Sequence, residues 1–134
     1  MTLMVQNVGE VTALSYLVNK VATTRDLIYR LFSNNITPAE TDTAATYTET
    51  TGGGYAQKTL TGASWTVVGG APTQASFAAQ TWTFSGAVGG TGIIYGYYVV
   101  RATDLDLVLS ETFTPFTPAA AGDNIILTPQ ITAE

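Results

Sequence analysis

The sequence predicts a mainly β protein: an antiparallel β-sandwich, jelly-roll-like, of about seven or eight strands with one short N-terminal helix. Three observations carry that expectation. Short runs rich in Val, Ile, Thr, Tyr, Phe and Trp follow one another from Arg25 onward, Gly, Asn and Asp clusters punctuate them, and helical periodicity is confined to residues 8–21. Strands at such spacing, with no helices between them, favour antiparallel pairing over βαβ units, with a closed barrel as the runner-up. The 134 residues fit a single domain over 1–134.

Residues 1–7 read as an N-terminal arm. Met1 to Gln6 has no basic region and no long apolar run, so it is not expected to be a signal peptide, and it is expected to be loose until a partner orders it. Over 8–21, Val8, Val11, Leu14, Leu17, Val18 and Val21 recur at spacings of three and four, which makes one apolar face of a helix. Asn7 stands at the N-cap position and Glu10 at the capping-box position. From Arg25 to Ser33 the period becomes two, with Leu27, Tyr29 and Leu31 on one face and Ile28, Arg30 and Phe32 on the other. Asn34-Asn35 turns the chain into 36–54, a polar, Thr-rich stretch with Pro38 and Gly52-Gly53-Gly54 that reads as a long surface loop with nothing to hold a core and at most one short strand near Tyr47.

The strands expected within 25–134 continue with Tyr55 to Leu60, Ser64 to Val68, Gln74 to Ser85, Ile93 to Ala102, Leu105 to Phe113 and Asn124 to Thr132. In the second of these Trp65 and Val67 are expected inward. Trp82 and Phe84 share a face opposite Thr81, Thr83 and Ser85. Ile93 to Val100 is apolar on both faces, as a central strand is, and Gly96 inside it marks a kink or a ring lying over the backbone. Leu105, Leu107 and Leu109 are expected in the core, with Asp104 and Asp106 in solvent. Pro129 cannot donate to a ladder, so the last strand lies at an edge or bends.

Composition excludes most chemistry. The chain has no His and no Cys, which removes the usual near-neutral general base, thiolate nucleophiles and the commonest zinc ligands. With 5 basic and 10 acidic residues the net charge is −5, and Lys20, Arg25, Arg30, Lys58 and Arg101 are scattered, so no nucleic-acid partner is expected. No apolar run approaches membrane-spanning length, and no membrane partner is expected. Charged residues are only 11% of the chain. Either much of the surface is covered by copies of the chain or by a partner, or a Thr-rich β-surface needs little charge.

Candidate sites are few. Asp104, Asp106 and Glu111 offer carboxylates two or more residues apart, but without EF-hand spacing they read as a solvated turn and strand face. Gly52-Gly53-Gly54 lacks the Lys-Ser or Lys-Thr of a phosphate loop and reads as a flexible linker. Ser64, Ser76, Ser85 and Ser110 have no nucleophile-elbow context. No catalytic, cofactor-binding or metal residue is therefore assigned, and no enzyme activity is expected. Tyr47, Tyr55, Trp65, Trp82, Tyr95, Tyr97 and Tyr98 leave one alternative, a glycan-binding module that stacks sugars on exposed rings, although Trp82 and Tyr98 read as core.

The segments Gly9-Glu10, Leu27 to Pro38, Gly54-Tyr55-Ala56, Leu60 to Trp65, Tyr95 to Val100, Glu111-Thr112-Phe113 and Gly122 to Thr132 run nearly end to end. In these the chain resembles small tailed-phage virion proteins of the head decoration or cement type. The Gly-rich stretch at Gly52 and the Pro115 to Pro118 stretch are longer than that pattern. The resemblance implies a structural subunit on the outer capsid surface of the virion, assembled in the host cytoplasm. Such a subunit bridges major capsid proteins as a homo-oligomer, a trimer or dimer. A neck, tail or head-fibre position is the alternative within that class.

Overall fold

The computed structural model describes residues 3–7, 9, 26–70 and 73–133. Its strands are β1 (Leu3–Val5), β2 (Leu27–Phe32), β3 (Lys58–Leu60), β4 (Thr66–Val68), β5 (Thr73–Ser76), β6 (Gln80–Thr83), β7 (Ile94–Arg101), β8 (Leu107–Phe116), β9 (Asn124–Leu127) and β10 (Gln130–Ala133). All pairings are antiparallel. They form a five-stranded sheet in the order β1-β8-β7-β2-β3, a three-stranded sheet β10-β5-β4 and a two-stranded sheet β6-β9. The mainly β, antiparallel class is the one the sequence predicts, and among the described residues no sheet closes into a barrel. The helix expected over 8–21 lies outside the described residues, Gly9 apart. The expected arm departs from prediction: Leu3–Val5 pairs with Leu109–Glu111 of β8, because β8 otherwise has a free edge there.

Alternation along β2 and β7 places apolar side chains on both faces of the large sheet. One face carries Tyr29, Leu31, Tyr97 and Val99, which pack with Trp82, Phe84 and Ile125 from the β6-β9 region. Tyr29 meets the Trp82 ring edge-on at 5.3 Å and the Tyr97 ring at 4.7 Å. The other face carries Ile28, Phe32, Tyr98, Val100 and Leu107, and Tyr47 covers it, stacked on Tyr98 at 5.1 Å. As expected, β7 is the central strand and Trp82 and Phe84 point inward. Gly96 has the expected neighbour too: a Cβ there would lie 2.7 Å from the Phe32 ring and 2.2 Å from the Glu111 carbonyl oxygen.

The polar stretch 36–54 is a correction. Tyr47 within it is only 5% exposed, and its backbone completes the edge of β2: Ser33 N donates to Thr48 O at 2.9 Å and Thr50 N to Leu31 O at 2.9 Å. Asn34 clasps it from both sides, donating to Thr46 O at 2.9 Å and accepting from Thr48 N at 2.8 Å. Tyr47, with Ile36 and Ala44 packed against the same cluster, supplies the core contact that composition did not suggest, while the bridge between Phe32 and Glu49 lies where a short strand near Tyr47 is expected. Gly52-Gly53-Gly54 is likewise a packed turn rather than a linker. All three have positive φ, Ser85 N donates to Gly53 O at 2.9 Å, and a Cβ on Gly53 would lie 2.7 Å from Gly86 O.

Two long predicted strands are each broken once, at the same place. β5 pairs with β10 and β6 with β9, so 73–83 and 124–133 form one ribbon interrupted at 77–79 and 128–129, where Phe77 N donates to Pro129 O at 2.9 Å. Pro129 offers no N–H to continue the ladder, and the ribbon bends there, one half over the core and the other into the β4 sheet. The leucine row is corrected as well. Val99 opposes Leu109 and Val100 opposes Leu107, which makes Val108 a β-bulge residue and sends the two leucines to opposite faces. Leu105 lies outside the core, 45% exposed with φ 61° in the hairpin turn. Val67, expected inward, is 69% exposed because nothing in the described residues lies over the β4 edge of its sheet.

Candidate functional site

The three nominated carboxylates do not converge. The β7–β8 hairpin closes through Leu105 N to Arg101 O at 2.9 Å and Arg101 N to Asp106 O at 3.0 Å, which brings both aspartates onto Arg101. Arg101 Nη2 lies 2.7 Å from Asp104 Oδ2 and 2.5 Å from Asp106 Oδ2. Asp104 Oδ1 also accepts from Asp106 N at 3.2 Å. Glu111 stands apart on β8, accepting from the Tyr97 hydroxyl at 2.5 Å. A guanidinium already fills the space between the aspartates, and Glu111 orients a phenol. Each carboxylate therefore shapes a turn or a strand pair.

The same holds for four further acids. Glu49 accepts from the Tyr55 hydroxyl at 3.0 Å and lies 3.4 Å from Arg30, while Asp42 accepts from the Tyr47 hydroxyl at 2.9 Å and from Ala39 N at 2.9 Å. Asp26 accepts from Gly62 N at 3.0 Å, and Asp123 from Ala119 and Ala120 N at 2.8 and 2.9 Å. The two amide donors hold the Asp123 carboxyl below its ordinary value. Sequence reasoning missed the buried polar chain that ties β1 to the cover segment. Gln6 Nε2 donates to Ser110 Oγ at 2.8 Å, and that oxygen lies 2.8 Å from the Tyr47 hydroxyl, with Gln6 and Ser110 both fully buried. Nothing in the composition singles out Gln6; only the pairing of β1 with β8 brings it there.

Burial sets the chemistry of the phenols. Desolvation pushes Tyr47 up to about 12, with Asp42 adding to the rise and Ser110 opposing it. Tyr29, Tyr55, Tyr97 and Tyr98 are raised for the same first reason. At neutral pH these hydroxyls are protonated donors, unsuited to nucleophilic attack.

The rings nominated for sugar stacking are all at least partly packed. Tyr47, Trp82, Tyr97 and Tyr98 are buried; Tyr55, Trp65 and Tyr95 are half-buried. Trp82 Nε1 donates to Ala56 O at 2.8 Å, and Trp65 meets Phe77 at 5.5 Å. A narrow crevice lies between the large sheet and β10, lined by Leu27, Tyr29, Leu60, Trp65, Tyr97 and Ile131 among others. The space it encloses, about 10 Å³, is no more than one water molecule needs, and few polar groups line it to orient a guest.

On the surface, the described cations are engaged: Arg30 with Glu49 and Gln57, Lys58 over the Trp82 ring at 5.8 Å, and Arg101 with its two aspartates. Among the described residues the exposed large apolar side chains are Val67, Val68, Leu105 and Ile126. Among the described residues no group of three or more acidic, His or Cys residues is placed to hold a metal, and no helix is long and apolar enough to cross a membrane. No protein-family model, curated protein or solved structure matches the chain.

Proposed function

We propose that this chain is a structural virion subunit of a tailed phage, a capsid decoration or cement protein on a jelly-roll-like β-sandwich that bridges and stabilises major capsid proteins as a homo-oligomer. The observation that carries the reading is the spending of charge: Asp26, Asp42, Glu49, Asp104, Asp106, Glu111 and Asp123 all accept hydrogen bonds that build turns or hold tyrosines. Little charge remains for chemistry, while aliphatic groups stand exposed at a sheet edge and a hairpin tip. Such a surface suits an assembly protein that docks through apolar and hydroxyl groups.

A subunit that binds the assembled lattice but not dispersed capsid protein stabilises that lattice by RT ln(1 + [L]/Kd) per site, about 2.7 kcal/mol at a hundredfold excess. Because the described cations already have partners, contact with the shell is expected to depend little on ion pairs and to weaken only modestly with salt. The test strips the subunit from particles, restores it, and compares bursting temperatures at low and high salt. Re-decorated particles are expected to burst at the higher temperature in both. Equal temperatures reject the cement role, and loss of binding at moderate salt rejects the apolar contact.

A further inference from the structure

Among the described residues β4 ends its sheet. It pairs there with β5 alone, its three residues are all exposed, and Val67 and Val68 are 69% and 60% exposed on opposite faces of the strand. Edge strands in monomeric proteins are normally protected by an inward Lys, a Pro, a bulge or a covering loop. The strand here is Thr66-Val67-Val68, in register with Ser76, Ala75 and Gln74 without irregularity. A row of open N–H and C=O groups specifies what covers it: another extended strand.

We infer that β4 is the homodimer contact of this chain, pairing antiparallel with β4 of a second copy across a two-fold axis. Two features of the chain choose a second copy over a foreign strand. First, an antiparallel pair centred on Val67 is its own complement: Val67 faces Val67 of the second copy, and Thr66 faces its Val68. The β-branched pairs so formed are among the favourable cross-strand contacts. Second, two chains of net charge −5 repel wherever their charges meet, but no charged residue stands between Lys58 and Arg101. The described strands of this sheet carry only Thr, Val, Gln, Ala, Ser and Ile. This is where two copies approach without opposing like charges, and it lacks the charges that would select a different partner. Pairing joins the two three-stranded sheets into one six-stranded sheet, β10-β5-β4 continued by its two-fold mate.

This names the surface for the homo-oligomer in the reading above, and its test uses the isolated protein with no shell. Sedimentation equilibrium of the full chain is expected to give a dimer of the 14.1 kDa subunit. Val67→Lys is expected to shift it to monomer, with at least a tenfold rise in the dissociation constant and an unchanged far-UV spectrum, since the side chain projects into solvent. Ile126→Lys, at an equally exposed aliphatic on β9, is expected to leave the dimer intact. Amide exchange at Thr66, Val67 and Val68 is expected to slow as concentration rises. A monomer at high concentration, a trimer, a dimer that survives Val67→Lys, or exchange independent of concentration overturns the inference. The capsid reading fails separately, by equal bursting temperatures.

Discussion

Leu105 is the one non-glycine among the described residues with a positive φ, 61°, a region where a Cβ costs about 1–2 kcal/mol. The hairpin holds it there because its neighbours are pinned: Asp104 and Asp106 both reach Arg101, and Leu105 N reaches Arg101 O. Read as simple alternation, Leu105, Leu107 and Leu109 are equivalent, and all three deletions would cost alike. The fold makes them unequal. Leu105→Gly relieves the backbone strain, and that relief offsets the limited contact the exposed side chain gives up and the freedom glycine adds to the unfolded chain, roughly 0.5–1 kcal/mol. Its expected net effect on unfolding free energy is within about 1 kcal/mol of zero. Leu109→Ala, at a side chain 5% exposed, is expected to cost about 2–5 kcal/mol. Urea unfolding of both variants decides it, and equal losses would return Leu105 to the core.

At the scale of elements, the segment 36–54 is the cover of one sheet face, with the Tyr47 ring at its centre and Ile36 and Ala44 packed against the same cluster. Tyr47 contacts Phe32 at 5.0 Å and Tyr98 at 5.1 Å, and its hydroxyl joins Ser110 to Asp42. Tyr47→Ala is expected to cost about 3–5 kcal/mol, as ring deletions in a core do, and to open 36–54 to limited proteolysis while β2 to β8 stay paired. A cleavage pattern unchanged from the parent would show that the backbone bonds alone hold the cover. A short strand near Tyr47 was legible in the sequence, but its role as a cover was not, for a physical reason: one Tyr among threonines produces no periodicity, and its role comes from partners on β2 and β7. The strands with two apolar faces were legible because their neighbours lie on both sides, and Gly96 announced the Phe32 ring. The bulge at Val108 left no such trace, since strict alternation of leucines is what an unbulged strand would also show. Of the candidate surface, Val67 was visible as a residue but assigned inward. Which strand ends a sheet is decided by pairing, which short sequence windows do not contain.

Across the whole molecule, charge is sparse and local, while phenols are numerous and interior. Five of the 7 tyrosines, Tyr29, Tyr47, Tyr55, Tyr97 and Tyr98, hold their protons above the ordinary value, in each case first because burial penalises the phenolate. They sit on both faces of the five-stranded sheet, so no part of the main core is insulated from their ionisation. The unfolded chain releases phenolic protons near pH 10, whereas folded Tyr47 holds its proton to about 12. Above pH 10 the unfolded state therefore binds fewer protons than the native state, and stability falls as pH rises. This contribution is fully present below about pH 10 and is lost through the Tyr47 value, the other four acting in the same direction. Alkaline titration is expected to show one cooperative transition in which tyrosinate absorbance and loss of near-UV dichroism coincide, shifted above the ordinary phenol midpoint. Tyrosinate appearing in full near pH 10 while the dichroism persists would mean that these rings are open to water and that the two-faced core is not the one described.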